Sequence, residues 1–117
     1  MIISLPYPDR ILSPNGRGHW ATVARAKKKA REGASWATIS EAGSKAKLAP
    51  YAAQERVDVA LWFYPPDNRR RDADNALASM KAALDGIADA LGIDDSRFVI
   101  VPRMMASDGN ARVEVVL

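Results

Sequence analysis

The chain has 117 residues, of which 48% are hydrophobic and 26% are charged, and it contains no cysteine. This composition is typical of a folded globular protein, and it excludes a disordered chain, a disulfide framework and a cysteine-based zinc site. We therefore expect a single domain over residues 1–117, without a membrane-spanning segment or an export signal, and by default in the cytoplasm.

The first half of the chain predicts one strand and a mostly helical segment. Residues 2–5 form a short apolar run that ends at a proline, which is typical of a strand. Residues 13–18, Ser-Pro-Asn-Gly-Arg-Gly, have the composition of a loop with tight turns. A helix is predicted over residues 20–32, and we expect Gly33 to interrupt it before a second helical piece over residues 34–42.

The second half predicts three strands and one long helix. Residues 56–64 alternate between apolar and polar, which indicates a half-buried strand. Apolar residues then recur every three or four positions over residues 77–91, which predicts an amphipathic helix. Residues 98–105 and 113–117 predict two further strands, and the turn composition of residues 107–110 between them favours a hairpin.

The element order β-α-β-α-β-β predicts an α+β fold, namely a two-layer domain with a mixed sheet and helices packed on one face. Pro102 lies inside the third predicted strand. Because proline cannot donate to a sheet ladder, we expect this strand to lie at an edge or to contain a bulge.

Charge is distributed unevenly along the chain. Residues 1–50 contain nine Lys/Arg and three Asp/Glu, whereas residues 51–117 contain eight Lys/Arg and eleven Asp/Glu. A basic half joined to an acidic half fits a surface that binds a polyanion beside a cation-dependent site, although a merely uneven solvated surface remains equally open. The basic residues that we expect to bind DNA are Arg17, Lys27, Lys28, Arg69, Arg70 and Arg71.

The segment 69–75, Arg-Arg-Arg-Asp-Ala-Asp-Asn, is the most informative part of the sequence. Its two carboxylates, Asp72 and Asp74, project to the same side of an extended backbone, and such a pair is best stabilised by a cation such as Mg²⁺. The preceding arginines would draw a phosphodiester to this acidic site. The alternative is that these carboxylates only cap the following helix.

A second acidic pair, at residues 94–95, follows the predicted helix. Alone it is ordinary turn composition, but Asp95 is also a candidate third ligand. A straight helix over residues 75–91 would be roughly 25 Å long and would separate Asp95 from Asp72. The helix could break near Gly86, the loop could fold back, or the two residues could meet across an antiparallel homodimer.

Lys81 lies seven residues after Asp74, so the two residues share nearly the same helix face. A lysine there could offset the charge that develops on a phosphate under attack or orient the attacking water. The alternative is a surface ion pair with Asp85, four residues further on.

These motifs resemble the RusA family of Holliday-junction resolvases, which are found in bacteria and their phages. The resemblance lies in the string at residues 70–75, the helix with Lys81 and the Gly-Ile-Asp-Asp loop at residues 92–95. The N-terminal segments 5–8 and 13–15 are also similar to that family, so the resemblance covers nearly the whole chain.

The resemblance implies a homodimeric, Mg²⁺-dependent endodeoxyribonuclease that makes paired nicks across a four-way DNA junction. It implies that Asp72, Asp74 and Asp95 are the essential metal-binding carboxylates and that Lys81 matches the catalytic lysine of the family. Lys81 lies further from Asp74 than the family pattern has it. The rival interpretations are a non-catalytic α+β nucleic-acid-binding module and a metal-dependent hydrolase of nucleotides.

Overall fold

The computed structural model describes residues 1–14, 16 and 18–117, so Arg17 and part of the predicted loop at 13–18 lie outside the described residues. Four strands form one mixed sheet. They are β1 (Ile2–Pro6), β2 (Val57–Tyr64), β3 (Phe98–Met104) and β4 (Arg112–Val116). Their order in the sheet is β1-β4-β2-β3, in which β2 and β3 are parallel and the other neighbours are antiparallel.

Helices cover one face of this sheet, which confirms the predicted α+β fold. They are α1 (Trp20–Ala42), α2 (Ala49–Ala52), α3 (Ala73–Ser79) and α4 (Lys81–Leu91). The short helix α2 was not expected from the sequence. Within the described part of the chain, no helix is both long and apolar enough to cross a membrane.

The core lies between the helices and the alternate residues of the strands. The sheet contributes Phe63 and Leu61 from β2 and Val113 from β4, all with no exposed surface. The helical layer contributes the apolar stripe of α4, including the fully buried Ile87. The period of two on β2 and the period of three to four on α4 were therefore interpreted correctly.

The predicted hairpin between the last two strands is wrong. After the turn that contains Gly109, β4 pairs with β2 and β1, while β3 lies on the other side of β2. Burial explains this order: Val113 and Val115 of β4 are fully buried, which suits a central strand, whereas Val101 of β3 is 61% exposed. The edge position expected from Pro102 is confirmed.

The expected interruption of the first helix at Gly33 is also wrong, because α1 is continuous over Trp20–Ala42. Gly33 is exposed and keeps a negative φ. A glycine inside a helix lowers its stability by only about 1 kcal/mol relative to alanine, which is too little to break a helix of this length. The helix ends at Gly43, whose φ of 93° is the left-handed conformation typical of a C-terminal stop.

The long helix predicted after the acidic motif breaks at Met80, and not near Gly86. Met80 has φ −92° and ψ 0° and separates α3 from α4. Just before it, the Ser79 hydroxyl donates a 2.8 Å hydrogen bond to the carbonyl oxygen of Asn75, a contact that bends helices. The buried side chain of Met80 anchors the break in the core.

Candidate nucleic-acid-processing site

The three arginines of the motif have different environments. Asp67 accepts a 3.0 Å hydrogen bond from the backbone N–H of Arg69 and forms a 2.9 Å ion pair with Arg71. The first contact and then the second hold the pKa of Asp67 below its ordinary value. Arg71 is half-buried and therefore stabilises the loop, whereas Arg70 is exposed and makes no hydrogen bond or ion pair with the described residues. Arg70 is the arginine best placed to contact a ligand.

Asp72 and Asp74 lie at the beginning of α3. Asp72 is the N-cap, and its Oδ1 accepts a 2.9 Å hydrogen bond from the backbone N–H of Asp74. The capping interpretation is therefore confirmed for Asp72. The carboxylate of Asp74 is exposed and, among residues 1–14, 16 and 18–117, has no basic partner. The cap engages only one of the four carboxylate oxygens of Asp72 and Asp74. A backbone N–H carries no net positive charge, so the charge of this pair is not neutralised.

Lys81 joins two parts of the predicted site. Its Nζ donates one hydrogen bond to Oδ2 of Asp95 and another, of 3.0 Å, to Oδ1 of Asp85. The break at Met80 makes Lys81 the first residue of α4, and Asp95 begins the 3-10 turn after that helix. Both the surface pairing with Asp85 and a link to the second acidic pair are thus present in one protomer.

Asp94 performs the turn role that the sequence suggested. Its side chain accepts a 2.8 Å hydrogen bond from the backbone N–H of Ser96 and caps the 3-10 turn. This contact is the main reason why the pKa of Asp94 lies below its ordinary value. Asp94 therefore orients the neighbouring Asp95 through the backbone.

The contacts of Lys81 lead to a testable prediction. Its pKa is raised, first by the hydrogen bond to Asp95 and then by the one to Asp85. We expect Asp95→Asn to lower the Lys81 pKa most and Asp85→Asn to lower it less, in NMR titrations of the ¹³C-methylated protein. A folded-state pKa above the unfolded value of about 10.4 stabilises the fold below that pH, and this contribution is lost as the pH rises through the raised pKa.

Asp89→Asn is the control for this titration, because Asp89 lies on the same helix but pairs with Arg31. It should leave the Lys81 pKa unchanged. A Lys81 pKa that is the same in the wild type and in both test variants would show that the three side chains do not interact in solution.

The carboxylates fit a magnesium ion in their donor chemistry but are not gathered into a finished cage. Within the described residues, no group of three or more His, Cys, Asp and Glu side chains is arranged to hold a metal ion. Asp95 instead forms an ion pair with Lys81. However, Mg²⁺ is commonly bound through one or two carboxylates together with waters and substrate phosphates. The exposed pair Asp72 and Asp74 meets that requirement.

A basic groove lies beside this site. It has a volume of about 770 Å³ and runs between α1 and the junction of α3 with α4. Lys27, Lys28 and Arg31 of α1 line it together with Lys81, and Asp85 is an acidic lining residue. The two predicted DNA-binding residues of α1 therefore lie on the same groove as the candidate catalytic lysine.

The chain is similar to an uncharacterized protein of Xylella fastidiosa (strain Temecula1), with 45% identity over 100 residues. The match covers 86% of this chain and 63% of that protein, so the chain spans less than two thirds of the relative's length. No protein-family model matches the sequence.

Sequence reasoning missed the structural roles of Asp67 and Arg31. Asp67 holds two of the three motif arginines, and Arg31 binds Asp89 through two hydrogen bonds of 2.6 and 2.9 Å. The first could have been found from the spacing, since Asp67 precedes Arg71 by four residues and Arg69 by two. The second could not, because residues 31 and 89 are far apart in the chain.

Proposed function

We propose that this chain is a RusA-type, Mg²⁺-dependent endodeoxyribonuclease that resolves four-way DNA junctions by paired symmetric nicks. The observation that carries the proposal is the contact of Lys81 with Asp95. It joins the lysine and the second acidic pair, two features that the sequence singled out separately, on the same surface as a basic groove.

Each side chain has a defined part in the proposed reaction. Asp72 and Asp74, with Asp95 as the expected third ligand, would hold Mg²⁺, which would activate a water and offset charge on the phosphate oxygens. Lys81 lies at the groove, where its ammonium would stabilise the negative charge that develops on the phosphate oxygens. Asp85 and Asp95 fix the ammonium of Lys81 through their hydrogen bonds.

The proposed enzyme acts as a homodimer in the cytoplasm of a bacterial or phage-infected cell. A four-way junction is two-fold symmetric, so two symmetric cuts need two sites related by a dyad. Lys81 contacts Asp95 within one protomer, so the link between these two side chains does not require the partner subunit.

The second candidate is a non-catalytic nucleic-acid-binding module. It is favoured by the capping roles of Asp72 and Asp94 and by the lack, among the described residues, of an assembled three-carboxylate group. In that case the basic groove and Arg70 bind nucleic acid and the acidic residues serve only the fold.

One experiment separates these functions. Purified protein is incubated with end-labelled four-way, forked and linear DNA, each with Mg²⁺ and with EDTA. The proposal predicts paired nicks in the four-way junction with Mg²⁺ only. Binding to the same junction without cleavage in any condition would favour the module.

Arg70 allows a prediction for binding alone. Because its guanidinium is exposed and has no partner among the described residues, Arg70→Ala should weaken junction binding and reduce the slope of log K against log salt by about one. The measurement is fluorescence anisotropy at several salt concentrations in EDTA. Arg103→Ala, which removes another exposed arginine in β3, is the control and should leave the slope unchanged. Equal slopes for all three proteins would show that Arg70 does not contact phosphate.

A further inference from the structure

A second groove continues the basic groove along α1. It has a volume of about 540 Å³ and shares Lys28 and Arg31 with the first. Its other lining residues include Trp36 and Ile39 of α1 and Asp89 of α4. We call the two grooves together the α1–α4 groove; it extends from Lys81 at one end to Trp36 at the other.

The lining of this groove is amphipathic. The part near Lys81 combines four basic side chains with an apolar surface formed by residues such as Val23 and Ala82. Near Trp36 two cations face two carboxylates: Arg31 pairs with Asp89, and Lys28 lies 3.9 Å from Glu32 in a largely exposed pair. Because exposed ion pairs contribute little, Lys28 can turn to a phosphate at small cost.

Trp36 is unusual among the aromatic residues on this surface. It is 74% exposed and, within the described residues, makes no aromatic ring contact. Trp20, on the same helix, is 77% exposed but lines neither groove and packs beside His19. An exposed indole next to cations is what proteins use to stack an unpaired base.

We propose that the α1–α4 groove binds an unpaired nucleic-acid strand, with phosphates on Lys27 and Lys28 and one base stacked on Trp36. The inference rests on the proposed function in taking nucleic acid as the ligand, and it adds single-strandedness, which a branched DNA offers where its arms separate. The part of the groove near Lys81 carries four cations and one carboxylate, which suits a polyanion. The exposed indole favours a nucleic-acid strand over an acidic peptide, because a peptide has no base to stack on it.

The test uses fluorescein-labelled oligothymidylate and a duplex of equal length, with binding measured by anisotropy in EDTA at low salt. Trp36→Ala should weaken oligothymidylate binding at least about fivefold, and Trp20→Ala by less than about twofold. Duplex binding should change by less than about twofold in both variants, because paired bases cannot stack on the side chain. Trp36 is mostly exposed, so its removal leaves the core intact.

Three outcomes would overturn the inference. The first is that Trp36→Ala and Trp20→Ala bind oligothymidylate with equal affinity. The second is that Trp36→Ala loses equal affinity for the duplex and for the single strand. The third is that Trp36→Ala changes the oligomeric state, as measured by light scattering. Cleavage is not needed for this test. Protein that binds oligothymidylate through Trp36 but never cuts DNA would remove the nuclease proposal alone, and normal cutting without a Trp36 effect would remove this inference alone.

Discussion

Asp72→Asn is expected to lower the rate of Mg²⁺-dependent cutting of a four-way junction by about 10³-fold or more. Binding of the junction should remain intact or become stronger. Asparagine caps helices as well as aspartate does, so its side-chain oxygen still accepts the hydrogen bond from the backbone N–H of Asp74. The substitution therefore removes the charge and not the cap. The measurement is the single-turnover cleavage rate with saturating protein, together with junction binding in EDTA.

Asp9→Asn is the matched control. Asp9 accepts a 3.1 Å hydrogen bond from the backbone N–H two residues later and caps a 3-10 turn, in the way that Asp72 caps α3. It lines neither part of the α1–α4 groove. Asp9→Asn should cut at the wild-type rate. Retained nicking by Asp72→Asn in Mg²⁺ would mean that Asp72 only caps its helix, as the non-catalytic interpretation requires.

Gly86→Ala is expected to cause the largest loss of stability, about 3 kcal/mol, which is the upper end of the usual range for overpacking. A Cβ at this position would lie 2.0 Å from the carbonyl oxygen of Arg31. The obstacle is the backbone of α1 and cannot rotate away, so the two helices must separate along the face that carries Ile87. Urea denaturation followed by circular dichroism gives the free energy of unfolding.

Gly33→Ala, in the facing helix α1, is expected to have the opposite effect and to stabilise the fold. A Cβ at Gly33 would have nothing within 4 Å, and its backbone has no positive φ. This variant should therefore gain about 0.5–1 kcal/mol, because alanine loses less conformational freedom in a helix. If Gly86→Ala were as stable as the wild type, α1 and α4 would not cross at this distance in solution.

The crossing at Gly86 also matters for the candidate site. Gly86 follows Asp85, which is one of the two partners of Lys81. It also packs against the backbone of Arg31, the residue that pairs with Asp89. The close approach of α1 and α4 therefore brings the basic residues of one helix next to the lysine of the other. Variants at Gly86 should change DNA binding and stability together, whereas Gly33→Ala should change stability alone.

The individual elements could be predicted from the sequence because their causes are local. The alternation in β2, the apolar stripe of α4 and the cap at Asp72 each depend on residues within one or two turns of one another. The acidic and basic motifs were likewise visible as residue types and spacings. Their assignment to a metal and to DNA stays a prediction, since it rests on a resemblance and on the chemistry of the residues.

The tertiary structure decided the partners of each element. Local turn composition favoured a β3–β4 hairpin, but β4 pairs with β2 because its valines are buried best at the centre of the sheet. The buried side chain of Met80 fixes the position of the helix break, and the pairing of Lys81 with Asp95 joins residues that lie 14 positions apart in the chain. Which distant residues meet depends on how apolar surface is buried over the whole chain. A short segment shows which of its faces is apolar, but not which element will cover that face.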